Sequence, residues 1–136
     1  MECFLTSTEA EEFIAVIAQK RRGYAEINRL RNIAIARVLY CSGLRVGELC
    51  RLNRNSIKDR QFTIVGKSKM PRICFINQAA EEAIEKYLKA RTDKNPALFI
   101  SNETENRITP GTIRRVLQNA CERSDFEGAH PPHAQT

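Results

Sequence analysis

A glycine stop and an arginine within Cys41-Ser42-Gly43-Leu44-Arg45-Val46-Gly47-Glu48-Leu49 set a sharp corner between two helices. Reading back from Gly43, the residues Leu30, Ile33, Ala34, Ala36, Arg37, Val38 and Tyr40 fit one mostly apolar helix. Glycine suits the left-handed residue that closes such a helix, because it has no Cβ to clash. Leu44 can fold back onto that helix, and Val46-Gly47-Glu48-Leu49 then opens a short new one. Arg45 falls near this second start, where the macrodipole disfavours a cation by a few tenths to about 1 kcal/mol. The placement is reasonable if an anion sits there too, gripped by backbone amides and the guanidinium fork together. The plain alternative is a surface arginine paired with Glu48 three residues on, which stabilises little.

Around this corner the rest of the chain alternates helix and turn signals. Thr6-Ser7-Thr8-Glu9-Ala10-Glu11-Glu12 reads as a helix start, with Phe13, Ile14, Ile17 and Ala18 as its apolar stripe. Lys20-Arg21-Arg22-Gly23 closes it with cations and a glycine. The long helix then runs from about Glu26 to Ser42, and the short one to about Leu52. Gln61-Phe62-Thr63-Ile64-Val65 is strand-like, Gly66-Lys67-Ser68-Lys69-Met70-Pro71 is a polar loop, and Arg72-Ile73-Cys74-Phe75-Ile76 is the return strand. Asn77 caps a further helix that buries Ala80, Ala83, Ile84, Tyr87 and Leu88, and Leu98-Phe99-Ile100 is a short buried extended segment. Thr109-Pro110 starts a last helix, with Ile113, Val116, Leu117 and Ala120 inward and Arg114 and Arg115 outward. The expected fold class is α+β and predominantly helical: five or six helices around a small antiparallel hairpin.

Charge narrows the partners. A net charge of +6 in 136 residues favours a polyanion. The excess lies on Arg29, Arg31, Arg37, Arg51, Arg54, Lys67, Lys69, Arg72, Arg114 and Arg115, among others. That spread suits a concave face tracking a phosphate backbone better than a basic tail. Five cysteines are too scattered for a zinc signature, and no C-x-x-C occurs. No metal or cofactor is therefore expected. No apolar run approaches the roughly 18 residues of a membrane helix. The odd cysteine count points to a reducing compartment. A cytoplasmic, nucleoid-associated prokaryotic protein is the expectation.

The basic hairpin tip is the second constellation. Lysines on hairpin ends commonly serve only to keep edges soluble. Gly66-Lys67-Ser68-Lys69 also lacks the upstream glycine of a phosphate-binding P-loop. Its position is what matters, some twenty residues after the arginine corner. Gly-Leu-Arg-Val-Gly-Glu-Leu after an apolar helix closely resembles the first catalytic-arginine box of the tyrosine recombinases, the phage-integrase family. The strand, the Gly-Lys step and the Pro-Arg-Ile-Cys-Phe-Ile return resemble that family's β-hairpin lysine.

The resemblance implies a metal-free reaction in which a tyrosine attacks a DNA phosphodiester, giving a 3′-phosphotyrosyl link and a 5′-hydroxyl. Two arginines and a histidine would stabilise the charged transition state, and the lysine would act as general acid to the leaving oxygen. On this reading Arg45 is the first arginine and Lys67 the general acid, with Lys69 as alternate. Glu48 braces the site, and Lys69, Arg72, Arg114 and Arg115 contact DNA. Pro132-His133 matches the start of the family's Pro-His-x-Leu-Arg box, so His133 is the expected general-base histidine, with His130 as its rival. Gln135 and Thr136 stand where leucine and the second arginine belong. Tyr24, Tyr40 and Tyr87 do not occupy the nucleophile's place, and each is expected to pack with its hydroxyl at the surface.

The family reading makes residues 1–136 a partial catalytic domain, without the N-terminal core-binding domain and the tyrosine segment. Such a piece would not cleave DNA alone. Its expected partners are double-stranded DNA, other protomers in the intact protein, and a second copy covering exposed core. Two rivals remain: a non-catalytic DNA-binding remnant, separable by salt-dependent duplex binding, and a helical protein-interaction module in which Arg45 is immaterial.

Overall fold

The helical and extended runs form in the expected order. They are α1 (Ser7–Ala18), α2 (Glu26–Ser42), α3 (Val46–Cys50), β1 (Gln61–Val65), β2 (Pro71–Phe75), α4 (Gln78–Ala90) and α5 (Pro110–Arg123). The structure is a computed structural model and describes residues 7–20, 22–67 and 69–123. Among them no helix is long and apolar enough to cross a membrane.

α2 is the hub. It buries Ala34, Ile35, Ala36, Val38 and Leu39 on more than one face, because α1, α4, α5 and β2 all pack around it. Gly43 ends it at φ 70°, ψ 19°, and its N–H donates to the Leu39 carbonyl at 3.1 Å. That left-handed residue is why the chain can reverse at once. Leu44 then turns back into the core and is fully buried, as expected. Burying a leucine of this kind stabilises the fold by roughly 1.5–3 kcal/mol.

α4 starts where the sequence marks it. The Asn77 side chain accepts the Ala80 N–H at 2.9 Å, and Ala80, Ala83, Ile84 and Tyr87 face the core. The hairpin pairs antiparallel with Phe62 opposite Cys74 and Ile64 opposite Arg72. Phe62, Ile64 and Cys74 are buried on its inner face. The return strand lies one residue earlier than expected, at Pro71–Phe75, with Ile76 buried just beyond it. Among the described residues the exposed large hydrophobic side chains, Val65, Met70, Ile73 and Phe75, all belong to this hairpin.

Tyr87 departs from expectation. A surface hydroxyl is the sequence-based reading, yet the whole side chain is buried. The ring stacks on Phe99 with centroids 5.8 Å apart, and the hydroxyl accepts the Ile100 N–H at 3.2 Å. Burial pushes the phenol's pKa up. Tyr87→Phe leaves that buried N–H without its acceptor, so it is expected to cost about 1–3 kcal/mol. Urea denaturation should show the lower midpoint with an unchanged slope.

The basic residues do not all serve the expected concave face. Arg31 is buried and donates to the Ile100 carbonyl at 3.2 Å and to Asn32 Oδ1 at 3.0 Å, so it serves the interior. Arg29 pairs with Glu26, Arg37 with Glu11 and Arg54 with Asp93. Acids and carbonyls neutralise much of the charge along the helices.

Candidate functional site

The corner after α2 decides where Arg45 points. Leu44 and Val46 are buried, and the alternation leaves Arg45 and Gly47 outward. Arg45 has extended backbone (φ −76°, ψ 152°), and its N–H donates to Glu48 Oε1 at 3.1 Å. α3 has only five residues, so its macrodipole contributes little to the field at Arg45. The lack of a direct ion pair at the guanidinium is more informative. It forms no ion pair with Glu48, as the plain surface reading would need, nor with another described acid.

Glu48 faces inward instead and joins two elements. Its Oε1 accepts the Arg45 N–H and also Arg72 Nη2 at 3.0 Å, linking α3 to β2. Burial alone would raise its pKa. The Arg45 amide, the Arg72 guanidinium and the Arg45 charge together outweigh that and hold the carboxyl below its ordinary value. Arg72, opposite inward-facing Ile64, thus reaches the site from the inner face of the hairpin, and about half of its side chain stays exposed. Gly66 lies over the same carboxylate: a Cβ there would meet Glu48 Oε2 at 3.8 Å.

These elements enclose an open groove of about 590 Å³ lined by Arg45, Glu48, Arg51, Gly66, Lys67 and Arg114, among others. α3, the hairpin loop and α5 each supply a cation. The structure therefore brings Arg45, Glu48, Lys67 and Arg114 together, with Arg72 anchored to Glu48. Lys69, at φ 60° with its N–H on the Gly66 carbonyl, and exposed Arg115 are not among the lining residues. His130 and His133 lie outside the described residues. None of Tyr24, Tyr40 and Tyr87 lines the groove. Arg45, Arg51, Lys67 and Arg114 make no ion pair with any described acid. Four cations without an ion pair among the described residues, around one concavity, focus a positive potential suited to phosphate.

Sequence reading missed what supports this groove. Arg107, in the turn before α5, donates to the carbonyls of Cys50 and Leu52 at 3.0 and 2.9 Å and to Asn53 Oδ1. It caps the C-terminal end of α3 from below. Arg91, with a fully buried side chain, donates to the Ala97 and Leu98 carbonyls at 2.8 Å and to both carboxylate oxygens of Asp93. Leu98 N–H in turn bonds the Leu52 carbonyl, and Arg54 N–H the Pro96 carbonyl. The two arginines thereby lock the 91–100 segment beneath α3. In sequence they are indistinguishable from surface cations.

Comparison with known proteins agrees with this architecture. The model of the phage integrase family matches residues 3–135. The tyrosine recombinase XerC of Histophilus somni (strain 2336) is 37% identical over 109 residues, 76% of this chain and 37% of that protein. XerA of Pyrococcus furiosus is 34% identical over 119 residues, 84% of this chain and 39% of the relative. The chain thus spans well under half the length of these curated relatives. A crystal structure of XerA recombinase superposes with a TM-score of 0.77 at 25% identity, covering 98% of this chain and 47% of that one. XerH site-specific recombinase bound to its difH substrate superposes at 0.74 and 17% identity, covering 95% and 39%, and shows likeness of fold. The match along nearly the whole length, together with the arginine corner and hairpin on which the fold is built, establishes that this chain belongs to the phage integrase family of tyrosine recombinases.

Proposed function

We propose that this chain is the DNA-gripping part of a site-specific recombinase catalytic domain, and that its groove holds the phosphate at which a strand is cut and rejoined. The observation that carries this is the set of four cations, without an ion pair among the described residues, around one concavity. The relatives' activity and the DNA bound in the XerH complex support it.

Arg45 would place its planar fork on a non-bridging oxygen of that phosphate and stabilise the charge that grows as a tyrosine oxygen attacks phosphorus. The P–O5′ bond breaks as the tyrosyl–phosphorus bond forms, and Lys67 gives its proton to the departing 5′-oxygen. A 5′-hydroxyl then attacks the 3′-phosphotyrosyl link and returns the tyrosine, so bond energy is conserved without a metal or nucleotide cofactor. Glu48 takes no proton in this scheme; it holds the hairpin against α3, so that Lys67 and Arg45 share one groove. The nucleophile comes from outside the groove lining, from elsewhere in the protein or from another protomer. His133 would take the tyrosine's proton as general base. A structure of lambda integrase as a tetramer on a Holliday junction supports assembly of several protomers on DNA. Such a protein would work on the nucleoid, in the cytoplasm of a prokaryote.

The experiment is equilibrium binding of a fluorescent duplex across salt concentrations. Four phosphate-facing cations predict a linear fall of log K with log salt, of slope about −3 to −4. Failure to bind at low salt, or binding insensitive to salt, would overturn the reading.

A further inference from the structure

Arg51 stands where the recombinase mechanism assigns nothing, in a setting that selects its ligand. It closes α3 in helical backbone (φ −86°, ψ −6°), six residues after Arg45. The two backbones are thus about 9 Å apart along the helix axis. Cys50 and Leu52 on either side are buried, which fixes the Arg51 side chain outward. Its N–H bonds the Glu48 carbonyl, so the backbone beneath it is held. On α5, Ile113 and Leu117 are buried, and Arg114 is exposed and lines the same concavity.

Charge then decides the size of the ligand. One phosphodiester carries a single negative charge, which Arg45 and Lys67 already exceed. Arg51 and Arg114 would add two more like charges to one groove, and the single acid among its described lining residues, Glu48, is already committed to Arg72. A strand that presents successive phosphates offers a counter-charge to each cation of the set.

We propose that Arg51, with Arg114 in the same groove, grips the phosphate next to the one at Arg45, so that the groove holds two successive phosphates of one strand. This rests on the DNA reading of the groove. Arg51 is a positioning residue: it fixes the strand's register so that the correct phosphate meets Arg45 and Lys67. Phosphate contacts of this kind set register without reading sequence.

The test compares Arg51→Ala and Arg51→Lys with the unaltered chain in duplex binding across salt. Arg51→Ala is expected to bind about tenfold more weakly near 0.1 M salt, with a slope shallower by about 0.9 and unchanged thermal melting. Arg51→Lys keeps the charge and is expected to restore the slope. Arg51→Ala with the parent's affinity and slope, while Arg45→Ala loses both, would overturn the second phosphate position and leave the DNA reading intact. Weaker binding at unchanged slope would overturn it too, because a protein that neutralises one phosphate fewer must release fewer counterions. An unaltered chain that binds no duplex would overturn both readings together.

Discussion

Arg45→Ala is expected to weaken duplex binding at least tenfold and to flatten the salt slope by about 0.9, with melting unchanged. The Arg45 side chain is exposed and holds no described acid, so its removal breaks no ion pair of the fold. Surface changes of that kind usually stay within about 0.5 kcal/mol. The turn that positions it is made by its backbone N–H on Glu48, which alanine keeps. In a full-length protein carrying this segment, strand cleavage should fall further than binding, by about 10²–10³, because the fork acts on charge that appears only in the transition state. Cleavage of a nicked substrate that traps the phosphotyrosyl product would measure this. Arg45→Lys separates the two effects: it keeps the charge and hence the slope, but lacks the bidentate fork. A cleavage rate unaffected in Arg45→Ala would remove this arginine from the chemistry.

Arg91→Ala is expected to have the largest effect on stability, about 3 kcal/mol, because it leaves the Ala97 and Leu98 carbonyls without their donor, although Asp93 keeps Arg54 as a partner. The guanidinium lies 5.6 Å from the centroid of the buried Tyr87 ring, ties the Asn95, Ala97 and Leu98 carbonyls, and clasps an Asp93 side chain that is only 7% exposed. A domain of ordinary stability has only about 5–15 kcal/mol to lose. The same pair predicts acid sensitivity. The hydrogen bonds from Arg91 hold the Asp93 carboxyl well below its ordinary range. Its contribution is therefore complete above the unfolded carboxylate pKa, near 3.9, and is lost as pH falls through the lower folded value. Urea midpoints between pH 7 and pH 3 should decline in the parent, and Arg91→Ala should remove part of that decline along with the stability. A variant as stable as its parent would show that the buried arginine holds nothing in place.

Local features were legible where a residue's own chemistry sets its backbone. Gly43 supplies a positive φ, Asn77 caps α4, and Thr109-Pro110 places the start of α5 at Pro110. The alternation of β1 likewise puts Phe62 and Ile64 inward. The Tyr87 hydroxyl and the Arg31 side chain depart from expectation for one reason. Their helices carry them into contacts with the 97–100 segment, and helical periodicity says nothing of what will cover a face.

For the site, the sequence determined the corner, the hairpin and the family, because i, i+3 and i, i+4 spacing, a glycine φ and a hairpin's alternation are short-range properties. Only the tertiary structure decided which cations lack an acid among the described residues. Arg37, Arg54 and Arg72 find acids, and Arg107 finds carbonyls, through contacts that folding creates, whereas Arg29 and Arg91 pair with acids two or three residues away. Arg45, Arg51, Lys67 and Arg114 are left around one groove because three elements distant in sequence converge there. Coulomb energy depends on separation in space, and separation along the chain does not fix it.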